Sequence, residues 1–197
     1  FSQPTDYENK QSYTATVSVS DGVFSTLKNI SINLINANDN SPKITSGDTF
    51  SAAENQTTIG TVVAEDADGD SISFSVTGSN ININTQSGVL TFATAPDYES
   101  KSSYSAIVTA TDGTFVWTQT ITINVVNLND NPPIFTSSQT YSVDENQLAI
   151  ATATAVDADG DSLIFSSSSE NIAVAANGVM TFLVAPDFET KSTYSET

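Results

Sequence analysis

The 197-residue sequence contains no cysteine, no histidine and no arginine, and its only basic side chains are five lysines. Disulfide bonds, Cys/His zinc sites and Cys–His or Ser–His catalytic sets are therefore excluded. With a formal net charge of −18, binding to nucleic acid is disfavoured because phosphate groups need cations to neutralise them. Binding to an anionic membrane surface is disfavoured for the same reason. We also find no apolar run near the ~20 residues that span a membrane, so no membrane insertion is expected.

The residues that are abundant are serine, threonine, asparagine, valine and isoleucine, a mixture that favours strands and turns over helices. Apolar residues make up 38% of the chain, which is enough for cores in units of about 100 residues.

The sequence repeats itself at an offset of 91 residues, with one offset of 90 near the end. The tripeptide Asp6-Tyr7-Glu8, for example, recurs as Asp97-Tyr98-Glu99 and as Asp187-Phe188-Glu189. Because several motifs keep one order and one spacing, we predict tandem repeats. Residues 1–41 are expected to be the C-terminal part of one repeat (strands F and G), 42–132 a complete repeat, and 133–197 the N-terminal part of a third (strands A to E).

Seven short apolar-rich runs separated by turn signals fill the complete repeat, which predicts an all-β fold of seven-stranded antiparallel sandwiches. In the sixth run, Tyr104, Ala106, Val108 and Ala110 alternate with polar residues, as expected for a half-buried strand. The predicted strands are A near Phe50–Ala53, B near Ile59–Glu65, C near Ser71–Thr77, D at Ile81–Asn84, E at Val89–Ala93, F at Ser103–Thr111 and G at Phe115–Asn127.

Acidic residues recur at both ends of each predicted sandwich, so the bottom of one repeat and the top of the next are both negative. Carboxylates packed this closely repel one another unless cations separate them, and five lysines cannot balance them. Oxygen ligands of this kind select Ca²⁺. The first junction is predicted to gather Asp6, Glu8, Asp39, Asp66, Asp68 and Asp112, and the second Glu54, Asp97, Glu99, Asp130, Asp157 and Asp159.

These motifs resemble the cadherin repeat, an immunoglobulin-like Greek-key sandwich. The shared pattern is a Glu ending strand A, Asp-x-Glu before strand F, Asp-x-Asp after strand B, Ala-x-Asp ending strand F, and an Asn-Asp-Asn linker. The short loops and the composition are similar to cadherin-like repeats of large bacterial surface adhesins. One departure stands out, since the linker opens with Asn36 and Asn127 where the family has an acid.

The resemblance implies two or three Ca²⁺ ions at each junction. Asp97 and Glu99 would bind the first ion, with Glu54 and Asp130. Glu54, Glu99, Asp130 and Asp159 would bind the second. Asp157 and Asp159 would hold the third. The resemblance adds amide and carbonyl ligands from the linkers, namely Asn38, Asn40, Leu128, Asn129 and Asn131.

Three classes of function are compatible with this pattern. We expect non-enzymatic, Ca²⁺-rigidified repeats forming a rod in an extracellular or cell-surface adhesion protein, whose partners are neighbouring repeats and a homophilic or surface partner. A filament-forming structural protein is the second class. A carbohydrate-binding module or glycoside hydrolase is the third, but identical acids in every repeat argue against one specialised catalytic cleft.

The two outer repeats are incomplete, so we expect their open sandwich faces to be covered by strands from outside residues 1–197 of the same copy. A longer chain would supply those strands, or a second copy would supply them head to tail. In the second case the Tyr13–Ile35 hairpin would complete the Tyr141–Phe182 half-sandwich.

Overall fold

The structure is a computed structural model that describes residues 3–195, so the outermost residues of the predicted repeats 1–41 and 133–197 lie outside it. The chain forms two compact units, Phe1–Val126 and Asn127–Thr197. The described part of the chain contains no helix long and apolar enough to cross a membrane. The strands are β1 (Ser12–Ser20), β2 (Ser25–Asn33), β3 (Lys43–Ile44), β4 (Thr49–Ala53), β5 (Thr58–Thr61), β6 (Ala64–Glu65), β7 (Ser73–Val76), β8 (Ile81–Ile83), β9 (Val89–Phe92), β10 (Ser103–Thr111), β11 (Val116–Val126), β12 (Ile134–Phe135), β13 (Ala149–Thr152), β14 (Ala155–Val156), β15 (Ile172–Val174) and β16 (Val179–Phe182).

Strands β3 to β11 of the first unit build one sandwich, called here the central sandwich. One sheet has the order β4-β11-β10-β7, the other β5-β9-β8, and β3 pairs with β6. The predicted all-β sandwich is confirmed, with one parallel pair, β4 with β11. The two strands correspond to the predicted strands A and G. They are parallel because the first and the seventh strands of a series that alternates in direction run the same way.

The core of the central sandwich includes residues of the apolar alternation predicted for the sixth run, and it extends to the neighbouring strand β11. Val108 and Ile123 are fully inaccessible to solvent, and Ile121 is 1% exposed. These side chains project from β10 and β11, which are paired along their length in antiparallel register. Each buried side chain of this size stabilises the fold by about 1.5–3 kcal/mol.

Strand B differs from its predicted span, because it is divided into β5 and β6. The two pieces pair with different strands, β5 with β9 and β6 with β3. A register shift between Thr58 and Gly60 marks the irregularity in β5. The partner strand β3 was not predicted, since two residues after a proline carry too little pattern to reveal a strand.

The hairpin β1–β2 is a two-stranded sheet. It occupies the repeat positions of β10–β11, 91 residues earlier in the sequence. Apolar side chains of this hairpin are exposed, with Val19 at 69% and Ile32 at 39%. These values describe one chain by itself, and the expected cover from outside residues 1–197 stays a prediction.

The second unit contains the three-stranded sheet β13-β16-β15 and the pair β12–β14. Its residues 140–144 and 164–167 occupy the repeat positions of β4 and β7 but are not strands. In the central sandwich β4 pairs with β11 and β7 with β10. The described part of the second unit includes no counterpart of those two partners, which explains the loss of regular pairing. The three repeat boundaries themselves stay a prediction.

Candidate metal centre

The first candidate centre is organised around Asp68, in the turn after β6, which is buried at 9% exposure. Its Oδ2 accepts the backbone N–H groups of Asp39 (3.0 Å) and Asn40 (2.8 Å). Its Oδ1 accepts the side-chain amide of Asn40 at 2.8 Å. The Asn40 side chain is the largest reason why the pKa of Asp68 is lowered. Asp68 is therefore kept charged and is fixed against the linker that precedes its own repeat.

Glu8 brings a second carboxylate from the turn before β1. Ligand oxygens of Glu8, Asp39 and Asp68 all lie within 4.8 Å of one another. The N–H of Glu8 itself lowers the pKa of that side chain, but desolvation and the negative charges of Asp68 and Asp39 outweigh it, so the pKa is raised. The negative charges of these three carboxylates therefore repel one another, and a cation placed between them would reduce that repulsion.

Asp66 extends the centre on the same turn. Its Oδ1 accepts the backbone N–H groups of Asp68 at 3.0 Å and Asp70 at 3.2 Å. Carboxylate oxygens of Asp66, Asp68 and Asp70 lie within 4.8 Å of one another. Asp70 was not among the predicted ligands, because an acid after Asp-Gly is usually a solvated turn residue.

Unsatisfied buried oxygens test whether this centre fits a cation. Asn38 Oδ1, Asp66 Oδ2 and Asp112 Oδ2 are each buried without a hydrogen-bond partner. The second oxygen of Asp112, Oδ1, accepts the N–H groups of Thr114 (2.6 Å) and Phe115 (2.7 Å). Buried polar atoms normally find a partner, and such atoms that lack one call for an explanation. A hard cation fits, because it prefers carboxylate and amide oxygens.

The pKa of Asp112 is lowered as a result of two opposing effects. Burial raises it, but the hydrogen bonds from the backbone N–H groups of Phe115 and Thr114 lower it by more, so the pKa lies below its usual value. Asp6, the remaining predicted ligand of the first junction, lies on the turn of Glu8, where its Oδ1 accepts the N–H of Asn9 at 2.9 Å.

A second acidic cluster lies at the opposite end of the central sandwich. Glu54, at the end of β4, is 2% exposed, and its Oε2 accepts the backbone N–H of Tyr98 at 2.7 Å. Oxygens of Glu54, Asp97 and Glu99 lie within 4.8 Å of one another. Hydrogen bonds from the backbone and the side chain of Ser100 lower the pKa of Asp97. The structure therefore brings three predicted ligands together within the first unit.

The second unit repeats the arrangement around Asp68 with Asp159. Asp159 Oδ2 accepts the N–H groups of Asp130 (3.0 Å) and Asn131 (2.8 Å), and its Oδ1 accepts the Asn131 side chain at 2.9 Å. Asp157 Oδ1 accepts the N–H of Asp161 at 3.3 Å. Leu128 and Asn129 lie exposed in the linker. The sharing of ions between this group and the cluster of Glu54 stays a prediction.

A third acidic cluster was missed in the choice of ligands. Oxygens of Glu145, Asp187 and Glu189 lie within 4.8 Å of one another, and Glu145 Oε2 accepts the N–H of Phe188 at 2.9 Å. These residues are the counterparts, one repeat later, of Glu54, Asp97 and Glu99. The repeat offset alone was the signal that could have identified them.

Residues 48–126 match the family model of the Cadherin domain. This segment is a cadherin domain. The chain is 35% identical over 126 residues to mouse Protocadherin Fat 4, covering 57% of this chain and 2% of that protein. It is 34% identical over 156 residues to human Protocadherin Fat 1, covering 70% of this chain and 3% of that protein. The chain thus spans a small part of the relatives that it matches.

Solved cadherin structures share the fold. Mouse Cadherin-23 EC22-24 superposes with a TM-score of 0.69 at 23% identity, covering 95% of this chain and 68% of that one. Protocadherin Gamma B2 extracellular cadherin domains 3-6 give a TM-score of 0.74 at 21% identity, covering 92% and 53%.

The predicted resemblance to cadherin repeats is therefore confirmed. Cadherin relatives are extracellular or cell-surface adhesion proteins and not enzymes, which confirms the predicted location and the non-enzymatic role. The similarity to bacterial adhesins stays a prediction.

Proposed function

We propose that this chain binds Ca²⁺ at its inter-repeat junctions, with two or three ions at each, and that the ions stiffen its cadherin repeats into a rod. The rod would belong to an extracellular protein that mediates adhesion. The observation that supports this proposal is the group of buried oxygens without hydrogen-bond partners on Asn38, Asp66 and Asp112. They occur in a chain whose formal net charge is −18.

At the first junction the carboxylates of Glu8, Asp39, Asp66 and Asp68 would hold the ions, with oxygens of Asn38, Asn40, Asp6 and Asp112. Ca²⁺ would supply the positive charge that offsets their repulsion and ligand bonds for the unpaired oxygens. Extracellular Ca²⁺ sites have dissociation constants of about 10⁻⁴–10⁻³ M, so the junction would be occupied at millimolar Ca²⁺.

Adhesion requires a partner, and we propose that it is another copy of the same protein or a second surface protein. One solved relative in fold is described as the Protocadherin gammaB7 EC3-6 cis-dimer structure. Neighbouring repeats of the same chain would be the permanent contacts, since each junction joins two repeats.

Thermal unfolding and small-angle scattering with Ca²⁺ or chelator test the proposal. At a Ca²⁺ concentration ten times the dissociation constant, each independent site adds about 1.4 kcal/mol to the free energy of unfolding. We expect Ca²⁺ to raise the melting temperature by several degrees and to lengthen the particle. Mg²⁺ at equal ionic strength is the control for general screening. Identical melting and scattering in Ca²⁺ and in chelator would refute Ca²⁺-dependent stiffening.

A further inference from the structure

The first residue of each linker makes the same hydrogen bond in both units. Asn36 Nδ2 donates to the backbone carbonyl of Asp68 at 2.7 Å. Asn127 Nδ2 donates to the carbonyl of Asp159 at 2.8 Å. The donors lie 91 residues apart, as do the acceptors, so the bond is a repeated feature of the chain.

With this bond, the linker contacts both the backbone and the side chain of Asp68. Its carboxylate accepts hydrogen bonds from the N–H groups of Asp39 and Asn40, and its backbone carbonyl accepts one from the side-chain amide of Asn36. The linker thereby fixes both the side chain and the backbone of a residue in the acidic cluster.

An acid at the position of Asn36 could not make this bond. An ionised carboxylate has only acceptor atoms, so it would set a negative oxygen against the carbonyl oxygen of Asp68. The two oxygens would then repel each other unless a water molecule or a cation bridged them. Asparagine has nearly the same shape but supplies the donor, and it adds no negative charge to the cluster.

We propose that Asn36 and Asn127 are positioning residues that latch each linker onto the following acidic loop before any ion binds. The latch keeps Asp39 and Asn40 beside Asp68 when Ca²⁺ is low, so the site is partly preorganised and ordering it takes less of the binding free energy. Its role in Ca²⁺ affinity rests on the proposed function, whereas the latch itself does not.

Amide hydrogen exchange in chelator tests the latch directly. The wild type is compared with Asn36→Ala, which removes the donor, and Asn36→Asp, which replaces it by an acceptor. Asn33→Asp, at the exposed end of β2, is the control for the added charge. We expect the Asp39 and Asn40 amides to exchange about two- to ten-fold faster in both Asn36 variants, and at the wild-type rate in the control. Unchanged exchange of Val108 and Ile123 would show that the fold is intact.

A residue-resolved Ca²⁺ titration separates positioning from general stability. Asn36→Ala should bind Ca²⁺ about two- to ten-fold more weakly than the wild type. Asn36→Asp should regain its lost protection at Asp39 when Ca²⁺ is added. Wild-type exchange in chelator for both Asn36 variants would overturn the latch. If the titration shows no Ca²⁺ binding by the wild type, the proposed function is wrong. The exchange rates in chelator would still show whether the Asn36 hydrogen bond holds the linker.

Discussion

Glu54 and Tyr98 are joined by a hydrogen bond from the backbone N–H of Tyr98 to Glu54 Oε2, 2.7 Å long. The same bond joins Phe188 to Glu145 at 2.9 Å in the second unit. A carboxylate at the end of one strand thus orders the Asp-x-Glu turn that follows the last strand of the opposite sheet. This acid has a structural role in addition to its proposed role as a ligand.

Replacement of Glu54 by alanine should therefore destabilise the protein even in chelator. Glu54 is 2% exposed, and its loss leaves the Tyr98 N–H without its acceptor, a change that typically costs about 1–3 kcal/mol. Urea unfolding measures the effect. Glu65→Ala, at an exposed residue of β6, should change the free energy of unfolding by less than about 0.5 kcal/mol. Equal losses in the two variants would contradict the structural role.

Asp68→Ala should weaken Ca²⁺ binding more than Asp70→Ala. Asp68 accepts two backbone N–H groups and one side-chain amide from the linker. Asp70 donates its backbone N–H to Asp66 Oδ1, and its carboxylate lies within 4.8 Å of those of Asp66 and Asp68. We expect Asp68→Ala to raise the dissociation constant at least about ten-fold and Asp70→Ala to raise it less. Calorimetric titration with Ca²⁺ is the measurement. The ligand assignment would be wrong if Asp70→Ala caused the larger loss.

The fold and the acidic clusters could be predicted because the repeat is strong evidence in itself. Alternation in β10 predicts the core residues Ala106, Val108 and Ala110, which are buried in the structure. The motif Asp-x-Glu, present three times, located the acidic turns. Sequence offered no such signal for β3, which is two residues long and owes its existence to pairing with β6.

Hydrogen bonds made by particular atoms were the other part that sequence could not supply. In the sequence Asn36 is visible only as a departure from an acidic position, because its role as a donor depends on where the carbonyl of Asp68 lies. The closeness of Asp70 to Asp66 and Asp68 likewise depends on the conformation of the turn, which the sequence does not reveal.

Gly88→Ala should destabilise the central sandwich strongly. Gly88 has a φ of +68°, and a Cβ there would lie 2.2 Å from the carbonyl oxygen of Val62, a backbone atom that cannot move aside. Left-handed strain and overpacking together suggest a loss of about 3 kcal/mol. Gly113→Ala separates the two causes, because its φ is +97° with nothing within 4 Å of the added Cβ. Thermal unfolding should show a clearly larger loss for Gly88→Ala, and similar losses would disprove the steric contact.

Lys101→Met should loosen the turn that carries Asp97 and Glu99. The Lys101 ammonium lies 4.3 Å from the centroid of the Tyr104 ring, which meets the Phe92 ring edge-on at 5.1 Å. The backbone N–H of Lys101 donates to the Asp97 carbonyl at 2.9 Å. The lysine therefore links the acidic turn to the core, and equivalent contacts occur at 4.5 Å and 4.3 Å for the other copies of the motif.

A cation–π contact at an exposed site contributes about 0.5–1 kcal/mol, so Lys101→Met should lower the free energy of unfolding by that amount. Lys101→Arg keeps a cation over the ring and should remain close to the wild type. Lys28→Met, at an exposed residue of β2, controls for the loss of positive charge from an acidic protein. Urea unfolding in chelator measures all three without any contribution from bound ions. If Lys101→Met and Lys28→Met are equally destabilised, net charge and not the ring contact is the cause.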